Sequence, residues 1–368
     1  MLYITKFEKD LTKSYTQVSF NWIKSLQTQN VNFEIRPLDN VLDWNLAPKW
    51  IAEPSKEYFS ECRSDLDCAL LHLQPGDLLK TIYKDKNKSI GATTFETSTL
   101  PLWIAEGLNE NYKGLIVPSY YNKKSLLDSG VKIPIEVVYH SIEDWWDNVH
   151  TPIEKDPNIY VFGYIGSYNN RKNPKLLIES YIEAFPESRS DCALMIKTFT
   201  SALNMKEIES LVGDRTDIWV YNEMWSQEQL LWGYGLIDCY VSAHRGEGFG
   251  LTLAQAAYLG KPVMYTNYSA PIEWLDDTHH YPIKWDHCEV IGMNSEMHQH
   301  FNGAHLEWAD PKKEDLVKHF KLLADKKPKS GFEGDVLNSF KKSLTWDSIG
   351  QDLTSSIESI LQFKLKRL

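Results

Sequence analysis

From His244 to Leu251 the chain reads HRGEGFGL, and it runs on as TLAQAAYLGKPVMYTNYSAP to Pro271. Upstream, IDCYVS alternates like a strand; downstream, Leu251 to Leu259 has the periodicity of a helix, ended by Gly260, and KPVMYT restarts a strand. A glycine-rich turn that opens a helix has a defined chemistry. The backbone N–H groups of Gly248, Phe249, Gly250 and Leu251, with Thr252 in the same turn, are orphan donors at the positive end of a helix dipole. The glycines let a diphosphate come close to the main chain. Glu247, just outside that end, is placed to accept hydrogen bonds from hydroxyls. Anion site and hydroxyl site together suit a nucleotide sugar, with an ordinary strand–turn–helix corner as the competing reading.

The surrounding sequence implies the scaffold for such a turn. In the first half LYITKF, VNFEIRPL, DCALLHL, KSIGATTF, KGLIVPS and PIEVVYH read as strands, with a helix from about Thr12 to Leu26. Strands alternating with helices predict an α/β domain with a parallel sheet. The polar, Trp- and Pro-bearing stretch SIEDWWDNVHTPIEKDPN reads as an interdomain connection. A second series follows: IYVFGYIGS, a helix from about Pro174 to Phe185, CALMIKTF, a helix around Met205 to Val212, DIWVYN, a helix from Gln227 to Tyr234, and IDCYVS. Residues from about Trp285 to Pro311 read as irregular, and helices are expected at Lys313 to Ala324, Asp335 to Ser343 and Trp346 to Phe363. The division is 1–145, 146–345 and a closing helix in 346–368, with ligands at strand C-termini.

With these segments in view, the chain resembles glycosyltransferase family 4. GATTFETSTLPLWIAEGLN, YKGLIVPSYYNKKSLLDSGVKIPIEVVYHSI, YIGSYNNRKNPKLLIESYIEAFP and HRGEGFGLTLAQAAYLGKPVMYTNYSAP carry the likeness over nearly the whole length. It implies the GT-B fold, two Rossmann-like βα domains facing across a cleft, the final helix crossing back to the first. It also implies a retaining, metal-independent transfer from a nucleoside diphosphate sugar to a hydroxyl. The family's signature is a Glu, seven residues, then a second Glu. Glu247 matches the first, which contacts donor-sugar hydroxyls; Gln255 stands at the second, which grips the ribose. An amide still binds a diol but lacks the charge. Lys172 matches the phosphate-binding lysine. Ser167 stands where a second basic residue often follows the strand glycine, which leaves Arg171 to substitute from a shifted position. Cations are needed there because the leaving diphosphate gains negative charge. Arg245 is a further candidate for phosphate. The usual glycine-rich turn after the first strand is TKSYTQVS here, so Ser14 or Tyr15 would offer a hydroxyl instead.

On the acceptor side, Glu96, Thr97 and His72 lie at strand ends, where a carboxylate would orient the attacking hydroxyl. Asp65-Leu66-Asp67 is a DxD triplet of the kind that holds a divalent metal in another glycosyltransferase architecture, but it precedes a strand of the first domain, far from the donor turn; the histidines between His279 and His305 fit no paired ligand spacing. At 368 residues, 42% apolar and 24% charged, the chain suits two soluble domains, with no apolar run of membrane-spanning length. MLYITKFEKD lacks the apolar core of a signal peptide, which predicts a cytoplasmic protein. Five cysteines without a CxxC pair read as buried thiols. The net charge of −11 argues against a polyanionic partner. Residues 1–140 nevertheless balance 16 Lys and Arg against 17 Asp and Glu and hold Lys80, Lys84, Lys86 and Lys88. The acceptor stays open: a glycan, a lipid-linked sugar, a protein, a metabolite or a hydroxymethylated DNA base. Weak peripheral membrane contact stays open too, as does a non-catalytic relative that binds a glycan or partner.

Overall fold

The computed structural model describes residues 1–5, 14–37, 68–73, 75–80, 85–142, 155–290, 292 and 303–368. The chain divides into two compact units, residues 1–143 with 342–368, and residues 144–341.

The first unit is built on a parallel sheet of β1 (Leu2–Thr5), β2 (Glu34–Pro37), β3 (Ala69–His72), β4 (Ser89–Ala92), β5 (Gly114–Val117) and β6 (Ile135–Val137), in the order β2-β1-β3-β4-β5-β6. The order reverses beside β1, so its switch point lies between β1 and β3. Helices α1 (Ser14–Thr28), α2 (Pro75–Lys80), α3 (Leu102–Asn111) and α4 (Tyr120–Asp128) connect the strands. α4 starts at Ser119, whose side chain accepts from Asn122 N. The last helix, α11 (Trp346–Leu361), belongs to this unit and lies on α1. Thr345 caps it, and Trp346 Nε1 donates to Asn21 Oδ1 at 3.0 Å. Gly350 sits so close to α1 that a Cβ would stand 2.3 Å from the Ser25 carbonyl.

The second unit has β7 (Tyr160–Ile165), β8 (Cys192–Thr198), β9 (Ile218–Asn222), β10 (Cys239–Ser242), β11 (Val263–Thr266) and β12 (Tyr281–Ile283), all parallel, in the order β12-β11-β10-β7-β8-β9. β7, β8, β10 and β11 are buried along their whole length, as helices on both faces of a parallel sheet require. Helices α5 (Pro174–Ala184), α6 (Ala202–Val212), α7 (Gln227–Leu236), α8 (Leu251–Tyr258), α9 (Lys313–Lys326) and α10 (Gly334–Ser343) complete it, α10 running into the first unit. Phe162 of β7, Tyr181 of α5 and Phe320 of α9 meet edge to face at 4.9–6.3 Å in the core.

One expectation is corrected. Trp285 to Pro311 is not irregular throughout: β13 (Trp285–Val290) pairs antiparallel with β14 (Gly303–Pro311). Leu306 and Trp308 are buried and Glu307 between them is exposed, an alternation hidden among histidines and acids. Of the cysteines, Cys68, Cys192 and Cys239 are buried free thiols and Cys288 is only half-buried; Cys62 lies outside the described residues.

Candidate functional site

In the second sheet the strand order reverses between β7 and β10, which opens a crevice at their C-terminal ends. Two loops leave there: residues 166–173 after β7 and 243–250 after β10. Arg245 N donates to the Arg171 carbonyl (2.7 Å), Arg171 Nη1 to the Gly246 carbonyl (2.9 Å) and Arg245 Nη1 to the Asn170 carbonyl (2.6 Å). The loops are thus bonded main chain to main chain and side chain to main chain. A third loop, after β11, braces them: Glu247 N donates to Ser269 Oγ at 2.9 Å, and Ala270 N to the Glu247 carbonyl at 3.2 Å.

Glu247 is buried at the centre, with Lys172 Nζ on Oε1 and Arg171 Nη1 3.3 Å from Oε2. Burial alone would raise its pKa; the charges of Lys172 and Arg171 overcome that and pull it down to about 2. Glu247 is therefore an anion and an acceptor at neutral pH. Lys172 is held in place by its own turn: its N–H donates to Asn169 Oδ1 (2.9 Å), and Asn173 follows in the left-handed region before Pro174 opens α5. His244 is fully buried, Nδ1 3.0 Å from Ser242 Oγ, and burial holds its pKa down at about 4.

The glycine turn caps α8. Gly250 has φ +84°, and a Cβ there would stand 3.1 Å from Pro271 Cγ, so both backbone and space demand glycine. Phe249 is buried against Trp274, ring centroids 5.9 Å apart, which anchors the turn. Gly248 to Thr252 thus bring the start of an α-helix beside the Glu247 cluster, as their sequence implies. Gln255, one turn further along α8, is buried, and Tyr234 Oη of α7 lies 3.1 Å from its Oε1. Arg245, a candidate for phosphate, pairs with Asp310 Oδ1 of β14 at 2.9 Å. Ser167 is exposed, and its carbonyl accepts from Tyr164 Oη.

The first-unit candidates are spread differently. His72 ends β3 inside the core: Nδ1 is 3.0 Å from Tyr3 Oη, the ring stacks on Trp22 at 4.5 Å, and burial lowers its pKa to about 3. Tyr15 Oη is tied to both the N–H and the carbonyl of Thr94 at 3.2 Å, while Ser14 is exposed at the start of α1. Thr97 is buried, donating to the Thr99 carbonyl at 2.6 Å; Glu96 beside it is half-buried. Asp65, Asp67, Lys84, His298 and His300 lie outside the described residues. Among the described residues no three His, Cys, Asp or Glu gather as a metal site, and no helix is long and apolar enough to cross a membrane.

Sequence reasoning passed over Ser269, Asn169, Tyr234 and Asp310. Ser269 and Pro271 lie in NYSAP, close behind the glycine turn in sequence; Tyr234 and Asp310 meet their partners only through the fold.

No protein-family model matches the chain, and no curated protein matches it in sequence. Solved structures do match in fold. HepE of Anabaena in complex with UDP-glucose superposes with a TM-score of 0.64 at 10% identity, covering 97% of this chain and 99% of that one. The sucrose-phosphate synthase of Thermosynechococcus elongatus gives 0.64 at 12% identity, covering 98% and 99%. A glycosyltransferase from Rickettsia africae gives 0.64 at 12% identity, covering 98% of each chain. The chain has the two-domain GT-B fold.

Proposed function

We propose that this protein is a glycosyltransferase that moves a sugar from a nucleoside diphosphate sugar to a hydroxyl, with retention and without a metal, as family 4 enzymes do. The observation that carries the reading is Glu247, an anion held by Lys172 and Arg171 beside the N-terminal turn of α8, at the switch point of a Rossmann-like sheet. The bound sugar nucleotides of fold neighbours such as HepE support it.

Each residue has a task that its environment suits. The N–H groups of Gly248 to Thr252 face the diphosphate. Lys172 and Arg171 take up the charge that grows on the leaving diphosphate as the glycosidic bond breaks. Glu247, with its pKa near 2, neither gives nor takes a proton at neutral pH and serves as acceptor for donor-sugar hydroxyls. The acceptor's proton then passes to a phosphate oxygen of the departing nucleotide, so no protein base is required. Gln255 in place of an acid favours one second reading, a non-catalytic relative that binds nucleotide or glycan without cleavage.

The test is a thermal-shift panel of UDP-, GDP-, ADP-, CMP- and dTDP-sugars with EDTA present, followed by turnover of the best donor. A ligand at about 100 times its Kd stabilises by roughly 2.7 kcal/mol. A shift with one nucleotide family, together with turnover lowered about 10²-fold by Lys172→Ala and by Glu247→Ala, is the expected result. Near-normal turnover in either variant overturns the site; binding without donor cleavage in any condition selects the second reading.

A further inference from the structure

The loop after β11 holds one residue in a conformation that its side chain opposes. Ser269 has φ +62° and ψ −155°, a region that glycine enters freely and that a residue with a Cβ occupies only under strain. Such strain persists where the surroundings impose it, and here the surroundings are hydrogen bonds to Glu247. Ser269 Oγ donates to the Tyr268 carbonyl at 2.6 Å and accepts the Glu247 N–H at 2.9 Å, while Ala270 N donates to the Glu247 carbonyl at 3.2 Å. The polarity of this set is fixed. A carbonyl only accepts, so the single hydroxyl proton goes to Tyr268 and the oxygen's lone pairs are left for Glu247. His244 engages the same carbonyl: Nε2 is 3.4 Å from the Tyr268 oxygen and Nδ1 is 3.0 Å from Ser242 Oγ, which makes Nε2 the donor and Nδ1 the acceptor of a neutral ring. Ser242, His244, Ser269 and Glu247 are all buried. Glycine at 269 would adopt this backbone without strain, but it would leave the buried Glu247 N–H without its acceptor, which is costly.

We infer that Ser269 is a positioning residue for Glu247: its hydroxyl holds the Glu247 main chain, and the strained backbone at 269 is what aims that hydroxyl. This rests on the donor reading above, in which Glu247 accepts from donor-sugar hydroxyls. The carboxylate of Glu247 has anchors of its own in Lys172 and Arg171, but a bound diphosphate draws on the same two cations. Once they turn toward phosphate, the direction of the carboxylate depends on the backbone that bears it. That backbone is held at its N–H by Ser269 and at its carbonyl by Ala270. The sugar is then met by a carboxylate whose placement is independent of the charges that the leaving group needs. A misplacement of an ångström can slow a reaction about 10²-fold, so a main-chain anchor at this point acts on the chemical step more than on nucleotide binding.

The experiment compares Ser269→Ala with Ser269→Gly. Both lack the hydroxyl, and only alanine keeps the strain. Ser269→Gly is expected to melt about 2–6 °C above Ser269→Ala. Both are expected to transfer sugar from the best donor of the thermal-shift panel roughly ten- to a hundredfold more slowly than the wild type. Calorimetry with the free nucleoside diphosphate of that donor is expected to give an unchanged Kd, so that the loss falls on kcat. Were Ser269 merely structural, turnover would follow stability, and Ser269→Gly would recover the rate that Ser269→Ala loses; that result overturns the proposal. Equal melting temperatures in the two variants overturn it too, because residue 269 would then bear no strain. Wild-type turnover in both variants overturns it while leaving the donor reading standing, provided that Glu247→Ala assayed alongside is slow. A wild type that binds none of UDP, GDP, ADP, CMP and dTDP overturns both.

Discussion

At the scale of single residues, the site is a competition for two cations. Lys172 and Arg171 both pair with Glu247, and a diphosphate would be a further claimant for the same charges. Glu247→Gln leaves two largely buried cations facing a neutral amide, a loss on the order of 3 kcal/mol for a broken buried pair. The melting temperature is therefore expected to fall, and inorganic pyrophosphate is expected to raise it more in the variant than in the wild type, because the competing anion has gone. Equal pyrophosphate shifts in the two proteins would show that these cations do not face the phosphate site. Gly250→Ala tests the turn: with φ at +84° and Pro271 Cγ at 3.1 Å, the methyl costs about 1–2 kcal/mol in backbone strain plus a steric shift, read as a lowered melting temperature and weaker nucleotide binding. The glycines and Glu247 were legible because their chemistry is local. The ion pair with Lys172, 75 positions away, was not, since only the adjacency of β7 and β10 closes that distance.

At the scale of elements, the closing helix shows how much depends on one absent side chain. α11 comes so near α1 that Gly350 has the Ser25 carbonyl where a Cβ would stand, and both Thr28 Oγ1 and Gln29 Cγ within 3.0 Å of the same point. Backbone cannot yield as a flexible side chain can. Gly350→Val is expected to destabilise the first unit by about 2–3 kcal/mol through overpacking. Thr345→Ala, which removes a cap from the same helix, is expected to cost about 1 kcal/mol. Chemical denaturation of the two variants checks the order; equal and small losses would mean that α11 docks loosely. Helix positions were readable from periodicity because α11 buries Ile349, Leu353, Ile357 and Ile360 on one face. The β13–β14 pair was not readable, because its half-exposed strands carry His287, Glu289 and Glu307, residues that satisfy a loop equally well. The Tyr234–Gln255 contact was likewise hidden: neither residue's type announces that the other is its partner.

At the scale of the whole molecule, each unit holds histidines that the fold keeps neutral. In the first, His72 and His140 have pKa values lowered to about 3, burial being the main cause and their proximity adding to it at His140. In the second, His244 and His280 are lowered to about 4, again by burial. An exposed histidine titrates near 6.5, so below that pH the unfolded chain takes up protons that the folded chain refuses. Stability is then constant above pH 6.5 and falls as pH drops toward 4, by on the order of 2 kcal/mol per histidine at pH 5. Glu247 works in the same direction but lower, its contribution being present above its ordinary value near 4.5 and lost as pH approaches 2. The two windows separate the causes: carboxylates alone leave the protein unaffected between pH 7.5 and 5, whereas buried histidines do not. Urea midpoints across that range are expected to decline in both units, followed separately because two compact units need not unfold together. His140→Gln should flatten the decline in the first unit and His280→Gln in the second. Midpoints that stay level from pH 7.5 to 5 would show that these rings gain solvent, or a compensating partner, before they charge.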